Sequence, residues 1–451
     1  MSIQSLQTAM SGLMAARRQL EIHGHNIANV STEGYTIQRQ MQQAAGVGAT
    51  PRVFATTPLE PGGVVNLGVE RQTDALLRNR LNTTAEALGA TKANAKYMTR
   101  IETTFAEPSD SGLAFQLNAL WSSFGALSVS PDSEAARQLV LDQGNQVAYT
   151  FSRIDTELSG TLEFASSELA AAAAEINDTT AQIASLNQSI LSAGTFASAT
   201  SDLSDQRDRL IERLSSLTGA QAVLRPDGQA AVYLGGRLLV DNPAVMQVSA
   251  TSTQLQWATD NAVVDAGGYV GSVHALVKTT IPQFRTKLDA VANQIISDVN
   301  TYHIAGADQN GVSGWNFFSG TGAGGIKLSA DVDGQPSRVA AGAVGNGPND
   351  GSTANLIGDL ADSTTGADNA YMSVLAELGV TTRTARTRDD AQQMVVESAR
   401  RDLNSVGQVN LDDELAELTG AQRAYQAAAR VVTTVDEMLD TLIHHLGRVG
   451  T

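Results

Sequence analysis

Histidines in two short runs are the side chains of this sequence with the most obvious potential for chemistry. His23 and His25 lie two residues apart with Glu21 beside them, and His444 and His445 are adjacent. On a helix, residues one or two positions apart do not face each other, so neither pair can hold one metal ion between its imidazoles. We therefore expect no metal site, and we expect the second pair to interact with the helix dipole.

Two glycine-containing segments match ligand motifs only in part. Gly320, Gly322 and Gly325 fit the spacing G-x-G-x-x-G, but that motif needs a preceding strand and a following helix, and here a strand is predicted to follow. Asp308 and Asn310 resemble the start of a calcium loop whose later oxygen ligands are missing. We interpret both segments as loops or turns and expect no cofactor.

Composition narrows the classes of partner. The formal net charge is −17, and no cluster of Lys and Arg could neutralise a run of phosphates, so nucleic acid and anionic membrane surfaces are not expected as partners. There is no cysteine, and no apolar run approaches the ~20 residues needed to span a bilayer. Ser5, Gln7 and Thr8 interrupt any signal-peptide core, so we expect no cleavable signal.

Motifs of the common enzyme classes are missing from the sequence. It contains no G-x-S-x-G elbow, Walker sequence or H-E-x-x-H helix, and its carboxylates are distributed along predicted helices. We therefore predict that the protein is not an enzyme, although an enzyme with a hidden site is kept as an alternative.

The elements that dominate the sequence are apolar stripes at coiled-coil spacing near both ends. Such narrow stripes are buried only against another helix, so the two ends are predicted to pack together or against other copies of the chain. In the first stripe Arg17 and Gly24 interrupt the pattern, and in the second Gln422 and Asp436 do so. The stripe positions are Ile3, Leu6, Met10, Leu13, Leu20 and Ile27, and Leu411, Leu415, Leu418, Tyr425, Ala429, Val432, Leu439, Ile443 and Leu446.

The chain between the stripes is predicted to be mostly helical. Extended segments and turns are expected over 36–70, alternation predicts β structure over 219–281, and one strand is expected at 326–328. Because aromatic residues make up only 5% of the chain, the core is expected to consist of Leu, Ile, Val and Ala. Helices are predicted over 2–29, 72–105, 112–128, 133–193, 202–217 and 282–303, and from about 370 to the end with a break at 405–407.

These elements predict a mainly α fold with a β insert, in an elongated, hairpin-like molecule. A terminal coiled-coil assembly domain is expected from 1–45 and 408–451, and a helical rod domain with some β structure from 46–218 and 283–407. The remaining segment, 219–282, is predicted to be a small β-rich outer insert.

Short motifs at both ends resemble the bacterial flagellar rod, hook and hook-associated axial proteins. Two internal stretches, Gly62-Gly63-Val64 with Gly68-Val69-Glu70-Arg71 and Asn310-Gly311 with Phe317-Phe318, are similar to the hook-associated members that join hook and filament. In the first terminal segment the matching residues are Ser11-Gly12-Leu13, Asn26, Ile27, Ala28, Asn29, Thr32, Glu33, Gly34 and Tyr35. In the last segment they are Asn410-Leu411-Asp412, Tyr425-Gln426-Ala427, Arg430-Val431 and Asp436-Glu437-Met438-Leu439.

The resemblance implies a structural subunit of the hook–filament junction. It further implies export of the unfolded chain through the flagellar type III channel and assembly outside the cell. The implied partners are other copies of the chain, the hook protein, a second junction protein adjoining the filament, and an export chaperone at the C-terminal helix. The missing cysteines are compatible with a chain that is threaded through a narrow channel.

Assembly is expected to be coupled to folding of the two stripes. In the free chain the stripes are predicted to lack a complete partner and to be partly disordered, because burying one face does not offset the ordering cost. An ordinary intramolecular helix pair is the alternative. The residues predicted to form the assembly interface are Leu6, Met10, Leu13, Leu20 and Ile27, with Leu418, Tyr425, Val432, Leu439 and Leu442.

Two further alternative functions remain open from the sequence. One is another flagellar axial protein, such as a hook, rod or flagellin-like subunit. The other is a cytoplasmic coiled-coil scaffold that is never exported.

Overall fold

A computed structural model describes residues 3–45, 62–194 and 198–446 of the chain. It is mainly helical with several small antiparallel sheets, which confirms the predicted fold class. The helices are α1 (Ile3–Ala28), α2 (Ala75–Phe105), α3 (Leu113–Val129), α4 (Glu134–Ala193), α5 (Ser198–Thr218), α6 (Gly268–Ala275), α7 (Ile281–Ala305), α8 (Ser352–Gly358), α9 (Ala367–Gly407) and α10 (Leu411–Leu446).

The strands are short and pair with near neighbours in the chain. They are β1 (Gln38–Ala44), β2 (Val64–Arg71), β3 (Gln221–Leu224), β4 (Ala230–Leu234), β5 (Arg237–Asp241), β6 (Ala244–Val245), β7 (Val248–Ala250), β8 (Leu255–Trp257), β9 (Gly306–Ala307), β10 (Phe318–Ser319), β11 (Lys327–Leu328) and β12 (Gly342–Ala343). The pairs β1–β2, β7–β8, β9–β12 and β10–β11 form two-stranded ladders, and β3 to β6 form one four-stranded sheet in chain order.

The chain divides into two compact units. The first contains residues 1–86, 176–247 and 394–451, and the second contains 87–175 and 248–393. The predicted domain boundaries stay predictions.

The first unit contains the paired terminal helices α1 and α10, the β1–β2 hairpin, α5 and the four-stranded sheet. The sheet begins as predicted, because the segment Arg225 to Gly228 forms the turn between β3 and β4, with Gly228 at φ +84°. Asn187 of α4 fixes the start of β4, since its side chain accepts from the backbone N–H of Ala230 and donates to the carbonyl of the same residue.

The core is mainly aliphatic, as expected from composition, and the second unit adds one aromatic cluster to it. Phe317 packs edge-on against Phe318 with ring centroids 4.8 Å apart, and it also contacts Phe124 and His303. A β-carbon at Gly144 would lie 2.9 Å from the Phe317 ring, so this glycine admits the ring and α4 continues without a break for 60 residues. The few aromatic residues of the chain are therefore partly concentrated in one cluster, rather than replaced everywhere by aliphatic residues.

The predicted helices are confirmed to within a few residues at their ends. One prediction is wrong, because residues 268–281 were assigned to β structure and instead form α6 and a π-helical segment, Leu276–Thr280, that leads into α7. The Gly267-Gly268 pair and the apolar run that follows resemble a turn and a strand, but Val270, Val273, Leu276 and Val277 are buried at helical spacing.

The segments that resembled ligand motifs are loops and turns, as predicted. Gly320 and Gly322 have positive φ and lie in the connection between β10 and β11. The Asp308 carboxylate accepts from the backbone N–H groups of Asn310 and Val312 and so stabilises a turn. No helix among the described residues is long and apolar enough to span a membrane.

Candidate assembly interface

The terminal helices α1 and α10 pack along each other within one chain. His23, near the end of α1, contacts Glu414, near the start of α10. Because these positions lie at opposite ends of the two helices, only an antiparallel arrangement keeps them side by side over their length. The ends thus form the intramolecular pair that was the alternative, and partial disorder of the stripes in the free chain stays a prediction.

Most of the predicted interface residues lie at or beside this pair. Met10 is 42% exposed and points away from the packed face, and Tyr425 is 36% exposed. The side chain of Leu442 lies outside the described residues. Half-buried positions are Leu6, Leu13, Leu20 and Ile27 on α1, and Leu418, Val432 and Leu439 on α10.

At several alternate positions of the predicted heptad pattern, the buried residue is the one just before the predicted residue. The buried positions that alternate with Leu13 and Leu20 are Ala16 and His23, rather than Arg17 and Gly24. On α10 the corresponding positions are Glu414, Ala421 and Val435, whereas the predicted positions Leu411 and Leu415 are each 43% exposed. The apparent interruptions of the stripes thus disappear. The heptad interpretation favoured the larger side chains, whereas small alanines at these positions let two helices approach closely.

A buried polar cluster lies at one end of the helix pair and is centred on Asn26, which is fully buried. Its side-chain N–H₂ donates to Glu414 and to the Gln38 carbonyl, each at 3.0 Å. Its side-chain oxygen accepts from the Gln38 N–H at 3.1 Å and from the Tyr35 hydroxyl at 2.7 Å. All four hydrogen-bonding positions of the amide are therefore used. The cluster joins α1, the following turn, β1 and α10.

Charged groups complete this cluster. His23 Nδ1 lies 2.6 Å from Glu414 Oε2, and Arg39 approaches the other carboxylate oxygen at 3.4 Å. Glu414 is fully buried, so its carboxylate contacts His23 and Arg39 rather than water. His23, which the sequence suggested only as a poor metal ligand, instead contacts α10.

The remaining motif residues shape the turn after α1. Tyr35 contacts His25 through its hydroxyl at 3.0 Å, and burial followed by the nearby charges of Asp202, Asp205 and Glu414 raises the Tyr35 pKa. Gly34 has φ +71°, as the predicted turn requires. Thr32 donates to Asn29, while Ala28 is exposed.

A second buried cluster fixes the β1–β2 hairpin against α5. The Arg71 guanidinium at the end of β2 lies 2.8 Å from both Asp205 and Asp208 of α5, and Arg78 and Arg207 also contact Asp208. Burial acts to raise the pKa of Asp208, but the three guanidinium groups outweigh it and the pKa is lowered. For Asp205 burial dominates and raises the pKa, although Arg71 opposes it.

Two segments that carried the resemblance separately are in contact. Ser11 of α1 accepts a hydrogen bond from the Val64 N–H at the start of β2, at 3.2 Å. The neighbouring Gly63 has φ +92°, and a β-carbon there would lie 2.2 Å from the Ser11 hydroxyl oxygen. The Gly62-Gly63-Val64 motif therefore places the hairpin directly on α1.

Sequence reasoning missed the residues that hold these clusters, namely Glu414, Arg71, Asp205 and Asp208. A usable signal existed for Glu414, because it occupies a packed position of the α10 stripe once the register is moved by one residue. For Asp205 and Asp208, which lie on an otherwise polar helix, no sequence signal distinguishes them from solvated carboxylates.

The terminal helices and β2 also carry apolar side chains that are exposed among the described residues. Met10 and Met14 of α1 and Leu67 of β2 are exposed, and Met14 and Leu67 line a shallow depression of about 320 Å³ with Arg17 and Arg18. On α10 the exposed apolar residues include Leu411, Leu415, Val431 and Met438. Within the described part of the chain, no group of three or more His, Asp or Glu side chains could hold a metal ion.

Comparison with known proteins points to one family. The family model described as the flagellar hook-associated protein FlgK helical domain matches residues 98–318. The ends match two further models, the flagella basal body rod protein at residues 6–36 and the C-terminal model of the flagellar basal body rod FlgEFG proteins at 407–444.

Individual relatives agree with these models over the whole chain. Flagellar hook-associated protein 1 of Bacillus subtilis is 27% identical over an alignment covering 100% of this chain and 99% of that protein. The protein of the same name from Salmonella typhimurium is 24% identical, with 97% and 98% covered.

A solved structure supports the fold. The flagellar hook junction protein FlgK from Burkholderia pseudomallei superposes with a TM-score of 0.64 at 15% identity, covering 73% of this chain and 100% of that one. The helical-domain match and the full-length relatives together show that this chain is similar to flagellar hook-associated protein 1 over its whole length.

Proposed function

We propose that this chain is a structural subunit of the bacterial flagellum, and that it forms the junction between hook and filament by self-assembly through its terminal helices. The observation that carries the proposal is the combination of the hook-associated helical domain at 98–318 with rod-type ends that pair as α1 and α10. The end matches are shared with rod proteins, whereas the helical domain favours a hook-associated role. A structural role requires no catalytic site, and we propose that the protein has none.

The helix pair is the unit that assembles. Its inner face is closed within the chain by the Asn26 and Glu414 contacts, so neighbouring subunits must bind the outer faces. Those faces expose Met10, Met14 and Leu67 on one side of the pair and Val431 and Met438 on α10. Covering exposed apolar area stabilises an assembly by about 25 cal/mol per Å², so adding a subunit to a growing end lowers the free energy. The two ends of the assembly would contact the hook protein and the second junction protein.

Location and export follow from this role. We propose that the chain is exported through the flagellar type III channel without a cleavable signal and functions outside the cell. An export chaperone that keeps α10 from pairing prematurely would bind its apolar residues. The absence of cysteine supports this route, since no disulfide can form before or after export.

Deletion of the coding sequence tests the proposed function. Electron micrographs of the deletion strain should show complete hooks without filaments, and flagellin should accumulate in the medium. Restoring the chain should restore filaments, and the protein should then be found in sheared flagella. Normal filaments in the deletion strain, or a protein confined to the cytosol as a scaffold would be, contradict the proposal.

The proposed chaperone site has its own test. Leu439→Asp places a charge at a half-buried position of α10 and should weaken both chaperone capture and incorporation into flagella. Glu437→Asp, at an exposed position of the same turn, is the matched control. If the chaperone captures Leu439→Asp and flagella incorporate it as well as the parent, Leu439 contributes only to packing within the chain.

A further inference from the structure

A groove on the second unit is open to a partner. It runs along the surface of α9, encloses about 560 Å³, and is lined by Ala376, Gly379, Val380, Arg383 and Thr384, with Glu102 of α2 at its edge. Val380 is 68% exposed although it is apolar. We refer to these six residues as the α9 groove.

For two residues of the groove, the described part of the chain shows no internal role. Arg383 has no carboxylate within ion-pair distance in the described residues, whereas its neighbour Arg386 is held by Glu102 at 2.7 Å and by Thr99 at 3.0 Å. Gly379 lies inside a helix, where glycine is destabilising relative to alanine, yet a β-carbon there would meet no atom within 4 Å. An unpaired cation beside an unfilled helical glycine suits a surface that another molecule approaches closely.

A complementary ridge lies on α4 of the same unit. Tyr149 is 64% exposed, and Leu139 and Asp142 lie on the same face of the helix. Among the described residues, the Asp142 carboxylate accepts only from Gln138, at 2.8 Å, and pairs with no cation. We refer to Leu139, Asp142 and Tyr149 as the α4 ridge.

We propose that the α9 groove of one subunit binds the α4 ridge of a second copy of this chain, with Tyr149 over Gly379 and Asp142 paired with Arg383. This inference rests on the proposed function, since it assigns a lateral contact between subunits of the junction. Because groove and ridge share no residue, the contact is heterologous and can repeat from one copy to the next.

The dimensions and charges of the two surfaces are compatible. Asp142 and Tyr149 lie two turns apart, about 10 Å along the helix, and Gly379 and Arg383 lie one turn, about 6 Å, apart. The long Arg383 side chain spans the difference. Tyrosine is enriched at the energetic centres of interfaces, and its ring fits a groove floor that has no side chain at Gly379. In a chain of net charge −17, pairing an unpaired cation with an acid on the neighbour also reduces repulsion between copies.

Site-specific cross-linking tests the contact in assembled flagella. The chain contains no cysteine, so a cross-link between two copies of the chain must join introduced cysteines. Cells would express one tagged copy with Gln146→Cys, on the exposed side of the α4 ridge, and a differently tagged copy with Ala376→Cys in the groove. Hook–junction particles would then be treated with a short thiol-specific cross-linker. A species that carries both tags is expected, and it should be at least tenfold weaker when Gln146→Cys is replaced by Glu163→Cys, an exposed α4 position beyond the ridge.

Charge reversal gives an independent measurement. Asp142→Arg and Arg383→Asp each should lower retention of the subunit on salt-washed particles roughly five- to tenfold, and the double variant should recover to within about twofold of the parent. Both positions are exposed, so the melting temperature of each free variant should equal that of the parent.

The outcomes separate this inference from the proposed function. Subunits that are present in the particles but give no cross-link carrying both tags would overturn the groove contact and leave the junction role intact. Three other results would also overturn the groove contact. They are equal cross-linking from Glu163→Cys, cross-linking of Ala376→Cys to the hook protein instead, and no recovery of retention in the double variant. Absence of the chain from the particles would instead refute the junction role.

Discussion

At the scale of single residues, the structure depends on buried polar groups that bond to several elements at once. Asn26 is the clearest case, because it bonds the backbone of β1, the turn residue Tyr35 and Glu414 of α10 at once. A motif residue on a surface helix is easily interpreted as a contact for partners. Here its contacts are internal, and they determine the shape of the surface that partners meet.

Replacing Asn26 by alanine should be strongly destabilising. Asn26→Ala removes the four hydrogen bonds that the buried amide makes to Gln38, Tyr35 and Glu414, so we expect the free energy of unfolding to fall by about 2 to 4 kcal/mol. Urea unfolding of the purified protein measures this. Asn29→Ala is the control, since Asn29 is only half-buried, and a loss below about 1 kcal/mol is expected there. Equal losses in the two variants would contradict the central role of Asn26.

His303 predicts a pH dependence of stability. The ring is fully buried, its Nε2 accepts from the Ala340 N–H, and its Nδ1 lies 2.8 Å from the Trp315 carbonyl, so the neutral ring fits and the imidazolium does not. Burial above all, with the nearby Arg137 charge, lowers the pKa of His303 to about 4 from 6.5. Below pH 6.5 the unfolded chain therefore binds a proton that the folded chain excludes, and stability falls as the pH falls from 6.5 to about 4.

The size of this effect can be measured by comparison with His303→Gln. The parent should lose about 3 kcal/mol more than the variant between pH 7 and pH 4, as judged from chemical unfolding at each pH. Parallel pH profiles for the two proteins would show that the folded chain protonates His303 as readily as the unfolded chain does.

At the scale of elements, the register of α1 against α10 is the feature to test. Ala421 is buried between the helices, and Ala427 on the same helix is exposed. Ala421→Leu should force the helices apart at a cost of about 1 to 3 kcal/mol, whereas Ala427→Leu should change stability by less than about 0.5 kcal/mol. Hydrogen exchange of α1 and α10 amides would reveal the difference, and exchange that is faster in Ala427→Leu than in Ala421→Leu would contradict the burial of Ala421 between the helices.

The elements themselves were largely predictable, and their contacts were not. Helix positions follow from local composition and from periodicity, and for that reason the predicted bounds of α2 to α5 and of α7 agree closely with the structure. The heptad positions were assigned wrongly because a spacing of 3.5 residues fits two neighbouring sets of positions. The set with larger apolar residues was preferred over the set that contains Ala16, Ala421 and His23. The clusters around Glu414 and Asp208 depend on partners tens to hundreds of residues away, and single-sequence periodicity contains no information about them.

At the scale of the whole molecule, stability and assembly should be separable. Val431 is 50% exposed on α10 in the free chain, so Val431→Lys should leave the melting temperature unchanged but reduce the amount of protein in flagella several-fold. Gln426→Lys introduces the same charge at another exposed α10 position and should incorporate normally. The two measurements are the melting temperature of the purified variants and immunoblots of sheared flagella. Normal incorporation of Val431→Lys would exclude this side of α10 from subunit contacts.

The buried group of Arg71, Arg78, Asp205, Arg207 and Asp208 has a consequence for how relatives of this chain diverge. Replacing any one member leaves another charged side chain buried without an opposite charge, so sequences with a single change in this group are less stable. In an alignment of homologous sequences, these five positions should therefore change in concert, with the whole set exchanged for apolar residues in some lineages and kept together in others. If Arg71 or Asp208 instead varies independently of the other four positions, water must reach the group and solvate the remaining charges.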